Sequence, residues 1–575
     1  MRRLVRRQAK IDPDHLPSQW HPVVRQVLAA RGVSAGDELD VGLNRLVRPS
    51  VLSDCERAAA FIADALERND AILFVGDFDT DGATSCALAV RALRAMGADH
   101  AEYLVPDRFE YGYGLSPAIA SVALAHEPAL VVTVDNGVSS HEGVALLEDA
   151  GVPVVVTDHH LPGGELPRAS ALVNPNREGD EHPGKCLAGV GVIFHVMLEL
   201  RSQLRARGWF DRRSEPGMAG LLDLVALGTV ADVVPLDSTN RILVEQGMRR
   251  IRSGRAVAGI DALLRLAGRD RDQLNASDLG FAVAPRLNAA GRLDDMAVGI
   301  ECLLCDDPAE ADRIAQRLDA YNRERRRIET RMRDQAVAAV AQLQQRVGDG
   351  AAPAGLCVYS AEWHEGVVGI VASRVKEHFH RPVVAFAPSG ESGELKGSGR
   401  SIPGVHMRDL LAAIDTAQPS LIRRFGGHAM AAGLSLAADQ FEAFEAAFRE
   451  AVAERASSDT LSGCLYHDGE LQADYFTREL ATTLRVFVPW GQGFPEPVFR
   501  NCFRICERRV VGERHLKFVV KPADSGPKLD AIAFNAMDRG WDSVSDDAIL
   551  AYRLDVNRYR GRDRLQLVVE HVQDA

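Results

Sequence analysis

Apolar residues along this chain fall into short unbroken runs, each stopped by an acid and a turn. Ala71-Ile-Leu-Phe-Val-Gly ends at Asp77, Ala129-Leu-Val-Val-Thr-Val ends at Asp135-Asn136-Gly137, and Val152-Pro-Val-Val-Val-Thr ends at Asp158-His159-His160. Runs of this length, rich in β-branched residues, predict buried strands. Gly76 and Gly82 permit a sharp turn, after which the stretch from Ala83 to Leu93 predicts a helix returning along the sheet. Strands alternating with helices build a parallel sheet, so the fold class expected is α/β. Ligands of such sheets gather outside the carboxyl ends of the strands, where these acids stand.

Further along, the pattern changes. Residues 322–347 predict one long helix whose start, Asn322-Arg-Glu-Arg-Arg-Arg-Ile-Glu-Thr-Arg-Met-Arg333, holds six arginines against two glutamates. Glycines 366, 369, 397, 399, 426, 427 and 433 then punctuate a second α/β region, where backbone amides can approach a phosphate closely. After a polar break at Ser457-Ser-Asp-Thr-Leu-Ser-Gly, short alternating runs such as Ala548–Asn557 and Leu565–Val572 predict strands. The segment Arg500–Lys521 mixes basic with apolar and aromatic residues, which suits an oligonucleotide-binding β-barrel. The expected organisation is a leading segment (1–50), an acid-bearing α/β domain (51–310), an arginine-rich connector helix (311–349), a second α/β domain (350–455) and a C-terminal barrel (456–575).

Composition narrows the function classes. At 575 residues the chain exceeds what one core supports, and 46% hydrophobic with 26% charged residues describes a globular protein. No apolar stretch is long enough to span a membrane, and Met1-Arg-Arg-Leu-Val-Arg-Arg lacks the apolar segment of a secretory signal, so a cytoplasmic location is expected. Nine scattered cysteines fit a reducing compartment. Cys302-Leu-Leu-Cys305 has no second CxxC and lies in an apolar run, so both sulfurs are expected on a buried helical face. A net charge of -13 argues against indiscriminate coating of DNA. The arginine-rich helix reads either as a solvated face with i, i+4 ion pairs or as a basic wall beside a strand.

Candidate chemistry centres on the acids. A single Asp after a strand reads as a turn or cap residue. Asp77, Asp79, Asp81, Asp135, Asp158, His159 and His160 together crowd one crevice, and Asp232 joins them from the apolar segment Leu222–Leu236. A packed sheet does not hold so many carboxylates without a counter-charge, and the cheapest is a divalent cation. Oxygen-rich ligation with one or two imidazoles and no thiolate favours manganese or magnesium over zinc. More ligands than one ion uses points to a two-metal site.

Asp77-x-Asp79-x-Asp81-Gly, Val134-Asp135-Asn136-Gly137, Thr157-Asp158-His159-His160 and Thr229-Val-Ala-Asp232 resemble the four phosphoesterase motifs of the DHH superfamily. Pro285–Arg292, Trp363–Ala372, Lys396–Ser401 and Phe425–Gly433 are similar to the later motifs of its RecJ family of single-strand-specific exonucleases. The resemblance implies a DHH phosphoesterase domain, a DHH-associated domain and a terminal oligonucleotide-binding fold. It implies exonucleolytic digestion of single-stranded DNA from the 5′ end to 5′-mononucleotides, in repair and recombination, with single-strand-binding protein and a helicase as partners and a monomer as the expected state. The pattern carried over makes Asp79 and Asp81 ligands of different ions and Asp135 their bridge. His159 and Asp232 complete one ion, Asp77 supports the other, His160 faces the phosphate or leaving oxygen, and Asp158 orients a histidine. Arg108, Arg286, Arg292, Ser398, Arg400 and His428 are expected to grip the 5′-terminal phosphate, and Arg514 and Lys517 the strand. The rival readings are a DHH-type hydrolase of short oligonucleotides or pyrophosphate, and a non-catalytic replication scaffold; the first does not need the basic connector and barrel, and the second would be expected to lose ligands.

Overall fold

The computed structural model describes residues 3–106, 114–347, 353–363, 368–389, 393–427, 429–523, 526–559 and 562–575. Two compact units pack separately: residues 7–322 with 468–575, and residues 1–6 with 323–467.

In the larger unit the runs read as strands form β1 (Ile72–Gly76), β2 (Ala101–Leu104), β3 (Leu130–Val134), β4 (Val154–Thr157) and β5 (Ala171–Val173). They make one parallel sheet in the order β2-β1-β3-β4-β5. Every residue of β1, β3 and β4 is buried, because helices cover both faces and an unbroken apolar run satisfies both. Ile72, Phe74, Val132 and Val155 face helices Cys55–Glu67, Thr80–Met96 and Gly189–Ala206. Leu73, Val75, Val131 and Val156 face Pro117–Ala125 and His141–Asp149. Each such side chain contributes about 1.5–3 kcal/mol on burial. The chain leaves β1 for β2 on one side and returns to β3 on the other. That reversal opens a crevice at the carboxyl ends of β1 and β3.

The smaller unit holds β6 (Leu356–Tyr359), β7 (Val383–Pro388), β8 (Glu394–Arg400), β9 (Arg424–Gly427) and β10 (Ala431–Ala437). They form a mixed sheet, ordered β9-β10-β8-β7-β6, with only β6 and β7 parallel. Arg3–Arg6 pairs in parallel with Cys464–His467 in the same unit. The predicted long helix is present and runs from Pro308 to Val347. Arg331 and Arg333 lie outside the described side chains.

The C-terminal runs close into a barrel of β11 (Phe499–Val511), β12 (His515–Pro522), β13 (Leu529–Ala533), β14 (Asp547–Tyr559) and β15 (Arg562–Asp574). Alternation along β12 puts Leu516, Phe518 and Val520 inside, around Phe503 and Tyr552. Tyr552 is fully buried and donates its hydroxyl to Asn501 Oδ1 at 2.6 Å. The barrel shares one continuous core with the parallel sheet. Arg485 spans them, reaching Asp278 at 3.2 Å and Asp555 at 2.7 Å. The segment before the barrel clamps it: Trp490 stacks on Phe494, and Arg31 and Arg241 lie over those rings.

Asp468 anchors this joint. Its buried carboxylate accepts two hydrogen bonds from Arg31, at 2.8 and 3.2 Å, and one from the Val498 amide at 3.0 Å. Removing one partner of a buried pair leaves an uncompensated charge, which costs about 3–5 kcal/mol. Asp468→Ala is therefore expected to lower the melting transition of the larger unit in calorimetry. A transition unchanged from wild type would show that the Arg31–Asp468 pair does not hold the barrel.

Candidate metal centre

Gly76 pairs with Val134 and Val134 with Thr157, so the next residues, Asp77, Asp135 and Asp158, emerge level from adjacent strands. All three are buried. Asn136 ties two of these ends together, donating its side-chain amide to the Val75 and Val134 carbonyls at 3.0 and 2.9 Å. Asp135 itself has φ 62°, a left-handed conformation that Asp tolerates better than most residues.

Asp79 caps helix Thr80–Met96, accepting from the amides of Asp81 (2.8 Å) and Gly82 (3.1 Å). Gly82 has no substitute here, since a Cβ would collide with the Asp77 backbone. Asp81 reaches across to a second helix start, accepting from the amides of Gly189 (2.7 Å) and Val190 (3.0 Å). Two helix N-termini therefore point partial positive charge at the same acids. His159 Nε2 lies 3.1 Å from Asp135 Oδ1, 3.5 Å from Asp232 Oδ2 and 4.0 Å from Asp81 Oδ2. Asp232 arrives at the C-terminus of helix Leu222–Ala231, where a strand-end placement would follow the other three segments.

Asp158 stands behind the histidines. Its Oδ1 accepts from the His159 and His160 amides and from His160 Nδ1 at 2.7 Å, and its Oδ2 from the Val138 amide. The side-chain amides of Asn174 and Asn176 hold the His160 and His159 carbonyls at 2.9 and 2.6 Å. Burial raises the Asp158 carboxyl, but the hydrogen bond from His160, the charges of both imidazoles and the Val138 amide together outweigh it and hold the group below its ordinary value. Burial opposes charging of His160, yet the same bond and the charges of Asp158, Asp232 and Asp77 together lift its imidazole to about 9.

Asp79, Asp81, Asp135 and Asp232 behave oppositely. Burial, reinforced by Asp79, pushes Asp81 up to about 7. Burial also raises Asp79. Asp135 and Asp232 rise well above the ordinary range, through burial and then repulsion from Asp81 and Asp79. Without a cation, these carboxyls ease their repulsion by holding protons.

Ligand atoms fall into three triplets, each with all its atoms within 4.8 Å: Asp81, His159 and Asp232; Asp77, Asp79 and Asp135; and Asp135, His159 and His160. Asp135 and His159 each belong to two of them. The buried Asp232 Oδ2 accepts no hydrogen bond from the described residues. Oxygen donors with one or two imidazoles suit manganese or magnesium. The donor set fits a pair of divalent cations.

The phosphate-binding candidates divide. Arg292, exposed at the end of helix Ala284–Leu293, acts electrostatically on Asp79. Arg286 is buried and donates to Asp319 at 2.9 Å and to the Ala282 carbonyl, so it braces that helix. Arg108 and His428 lie outside the described residues. In the smaller unit, Arg400 donates to Ser398 Oγ at 2.8 Å, and a Cβ on Gly369 would stand 2.8 and 3.2 Å from these two side chains. Within the barrel, Lys517 pairs with Asp530 at 3.2 Å, and Arg514 sits half-buried at the turn between β11 and β12. Cys302 is buried as expected, whereas Cys305 caps its helix half-exposed, because the helix ends at Leu304.

Sequence reasoning missed two glycines. A Cβ on Gly189 would stand 2.5 Å from the Asp135 Cβ, and one on Gly228 would strike Thr84 and lie 2.8 Å from Asp81 Oδ1. Both admit helices to the acids. The pair Gly189-Val-Gly191 after Leu187-Ala188 was the available signal.

Residues 71–229 match the DHH family, N-terminal domain, residues 353–454 the DHHA1 domain, and residues 467–571 the RecJ OB domain. Single-stranded-DNA-specific exonuclease RecJ of Escherichia coli (strain K12) is 51% identical over 571 residues, covering 99% of this chain and 98% of that protein. The Dickeya dadantii (strain 3937) protein of the same name is 53% identical over 563 residues, covering 97% and 96%. The crystal structure of RecJ in complex with Mn2+ from Thermus thermophilus superposes with a TM-score of 0.75 at 29% identity, covering 96% of this chain and 76% of that one.

The electrostatics predict an inverted pH profile for the metal-free protein. Acids raised above their ordinary value of 3.8 stabilise the fold while protonated, and that stability is lost as pH climbs through about 7 for Asp81. His160 acts in the same direction between its ordinary 6.5 and about 9. In chelator, the melting temperature is expected to fall between pH 5 and pH 8, and saturating manganese to remove that fall. Scanning fluorimetry showing a rise over this window in chelator would contradict the assignment.

Proposed function

The chain belongs to the RecJ family of single-stranded-DNA-specific exonucleases, and on that footing we propose that it hydrolyses single-stranded DNA from the 5′ end at the acidic crevice, releasing 5′-mononucleotides. The observation that carries this reading is the overlap of three ligand triplets, in which Asp135 and His159 are each shared by two. Asp81, His159 and Asp232 would hold one cation, Asp77 and Asp79 the other, with Asp135 bridging. A bound pair of manganese or magnesium ions supplies a water of lowered pKa and charge to stabilise the leaving oxygen.

The chain's own groups set the geometry. Asp158 fixes the His160 ring through Nδ1, which leaves Nε2 as the nitrogen to donate to a phosphate oxygen or the departing 3′-oxygen. Its raised value keeps that proton available at neutral pH. Arg292 offers a cation beside Asp79, and Arg400, steadied by Ser398, suits a terminal phosphate. His428 and Arg108 are proposed as further phosphate contacts. Arg514 and Lys517 would follow the strand along the barrel, Lys517 by exchanging its Asp530 partner for a phosphate. All the expected acids and imidazoles are present, which disfavours a non-catalytic scaffold. Such an enzyme would act in the cytoplasm as a monomer in DNA repair and recombination, supplied with strands by single-strand-binding protein and a helicase.

Asp135→Asn keeps a residue that accepts the left-handed backbone while removing the charge. Manganese-dependent digestion of end-labelled single strands is expected to fall more than about 100-fold, beyond the 10–100-fold cost of losing an outer ligand partner. A smaller loss in the folded variant would refute the bridging role. Arg400→Ala should weaken digestion of 5′-phosphorylated strands more than of 5′-hydroxyl strands. Equal loss on both would remove Arg400 from the phosphate grip.

A further inference from the structure

Phe281 is 78% exposed, more than any other large hydrophobic side chain among the described residues. It lies in the π-helical turn Leu279–Val283, whose neighbours Leu279, Ala282 and Val283 are buried. The wider turn rotates Phe281 away from the core that its neighbours join. A solitary exposed apolar residue needs no explanation. This one has company at the crevice.

Two ties fix its position beside the metal centre. A Cβ on Gly280 would stand 3.2 Å from Val230 Cγ1, in the helix that delivers Asp232. One turn later, the Thr80 hydroxyl, next to Asp79, lies 3.2 Å from the Ala284 carbonyl and 2.7 Å from Asn288 Oδ1. The residue after Asp232, Val233, is 62% exposed and held at φ 60°, a costly conformation for a β-branched side chain. Leu161, after His160, is 63% exposed. Two exposed apolar residues thus adjoin site residues in the chain, and a third follows the glycine that packs on the Asp232 helix.

We propose that Phe281 is a shelf on which an unpaired base of the DNA strand stacks while the adjoining phosphodiester occupies the metal centre. Val233 and Leu161 directly follow Asp232 and His160 in the chain, and Phe281 follows the glycine that packs on the Asp232 helix, so an occupant of these side chains is held beside whatever the ligands process. A protein seated there would cover the crevice itself. A base is the uncharged part of the substrate and gains grip where carboxylates repel phosphate. Its face is available only when it is unstacked, so the shelf would favour single strands. Phe281 acts here as a positioning residue, and the inference rests on the reading of the centre as a DNA hydrolase.

The test compares the intact protein with Phe281→Ala and Phe281→Trp, using manganese and 5′-phosphorylated oligothymidylate. Matched strands carry one abasic residue at each position near the 5′ end in turn. Losing one stacked base costs about 1–3 kcal/mol, so Phe281→Ala should raise KM roughly 5- to 150-fold with a smaller change in kcat. Phe281→Trp should restore KM. One abasic position should raise the wild-type KM equally and leave nothing further for Phe281→Ala to lose, whereas a merely structural role would give additive losses. An unchanged KM for Phe281→Ala, or additive losses at every position, overturns the shelf while leaving the hydrolase reading standing. Absence of any metal-dependent hydrolysis of single strands by the intact protein overturns both.

Discussion

Carboxylates repel one another, and this fold gathers six aspartates around the ends of three adjacent strands: Asp77, Asp81, Asp135 and Asp158 are buried, Asp79 and Asp232 half-buried. Water cannot solvate them there, so each negative charge must be met by a fixed dipole, a cation or a proton. Dipoles do part of it. Asp79 and Asp81 take the N-termini of two helices, and Asp158 takes three amides and an imidazole. What remains raises Asp79 and Asp81 and drives Asp135 and Asp232 well above the ordinary range until something positive arrives. The same arrangement that burdens the metal-free fold therefore prepares the loaded one: the ligands are already gathered, and binding relieves repulsion instead of creating order.

Much of this was legible in the chain because one local rule governs it. Fully buried parallel strands are unbroken apolar runs, and the acid that ends each run marks the sheet's ligand side, so Asp77, Asp135 and Asp158 could be placed level before any coordinates. The barrel strands were legible for the opposite reason, since β11 and β12 alternate basic or polar residues with Phe503, Leu516 and Phe518.

Other features depended on partners far along the chain. Leu222–Ala231 is buried nearly all round, so its apolar run carries no period to separate helix from strand, and the delivery of Asp232 from a helix was hidden. Arg286 reads as a phosphate ligand until Asp319, 33 residues away, is seen to occupy it. Gly189 and Gly228 matter only because Asp135 and Asp81 pack against them, a closeness that exists in the fold alone. Local chemistry is written in local sequence; the struts that aim it are not.

Strain follows the same division. Asp135 and Val233, one within the centre and one beside it, both hold left-handed backbone, which costs of order 1–3 kcal/mol at each position. Such conformations persist only where surrounding structure over-determines them. Here the Asn136 amide locks one to two strand ends, and the helix Leu222–Ala231, packed against Thr80–Met96, locks the other. Because the barrel shares its core with this sheet, the stability that restrains the strained residues extends to the surface proposed to hold the strand. A substitution deep in the barrel, far from any acid, can therefore loosen the centre by releasing the packing that keeps Asp135 and Asp232 within reach of His159.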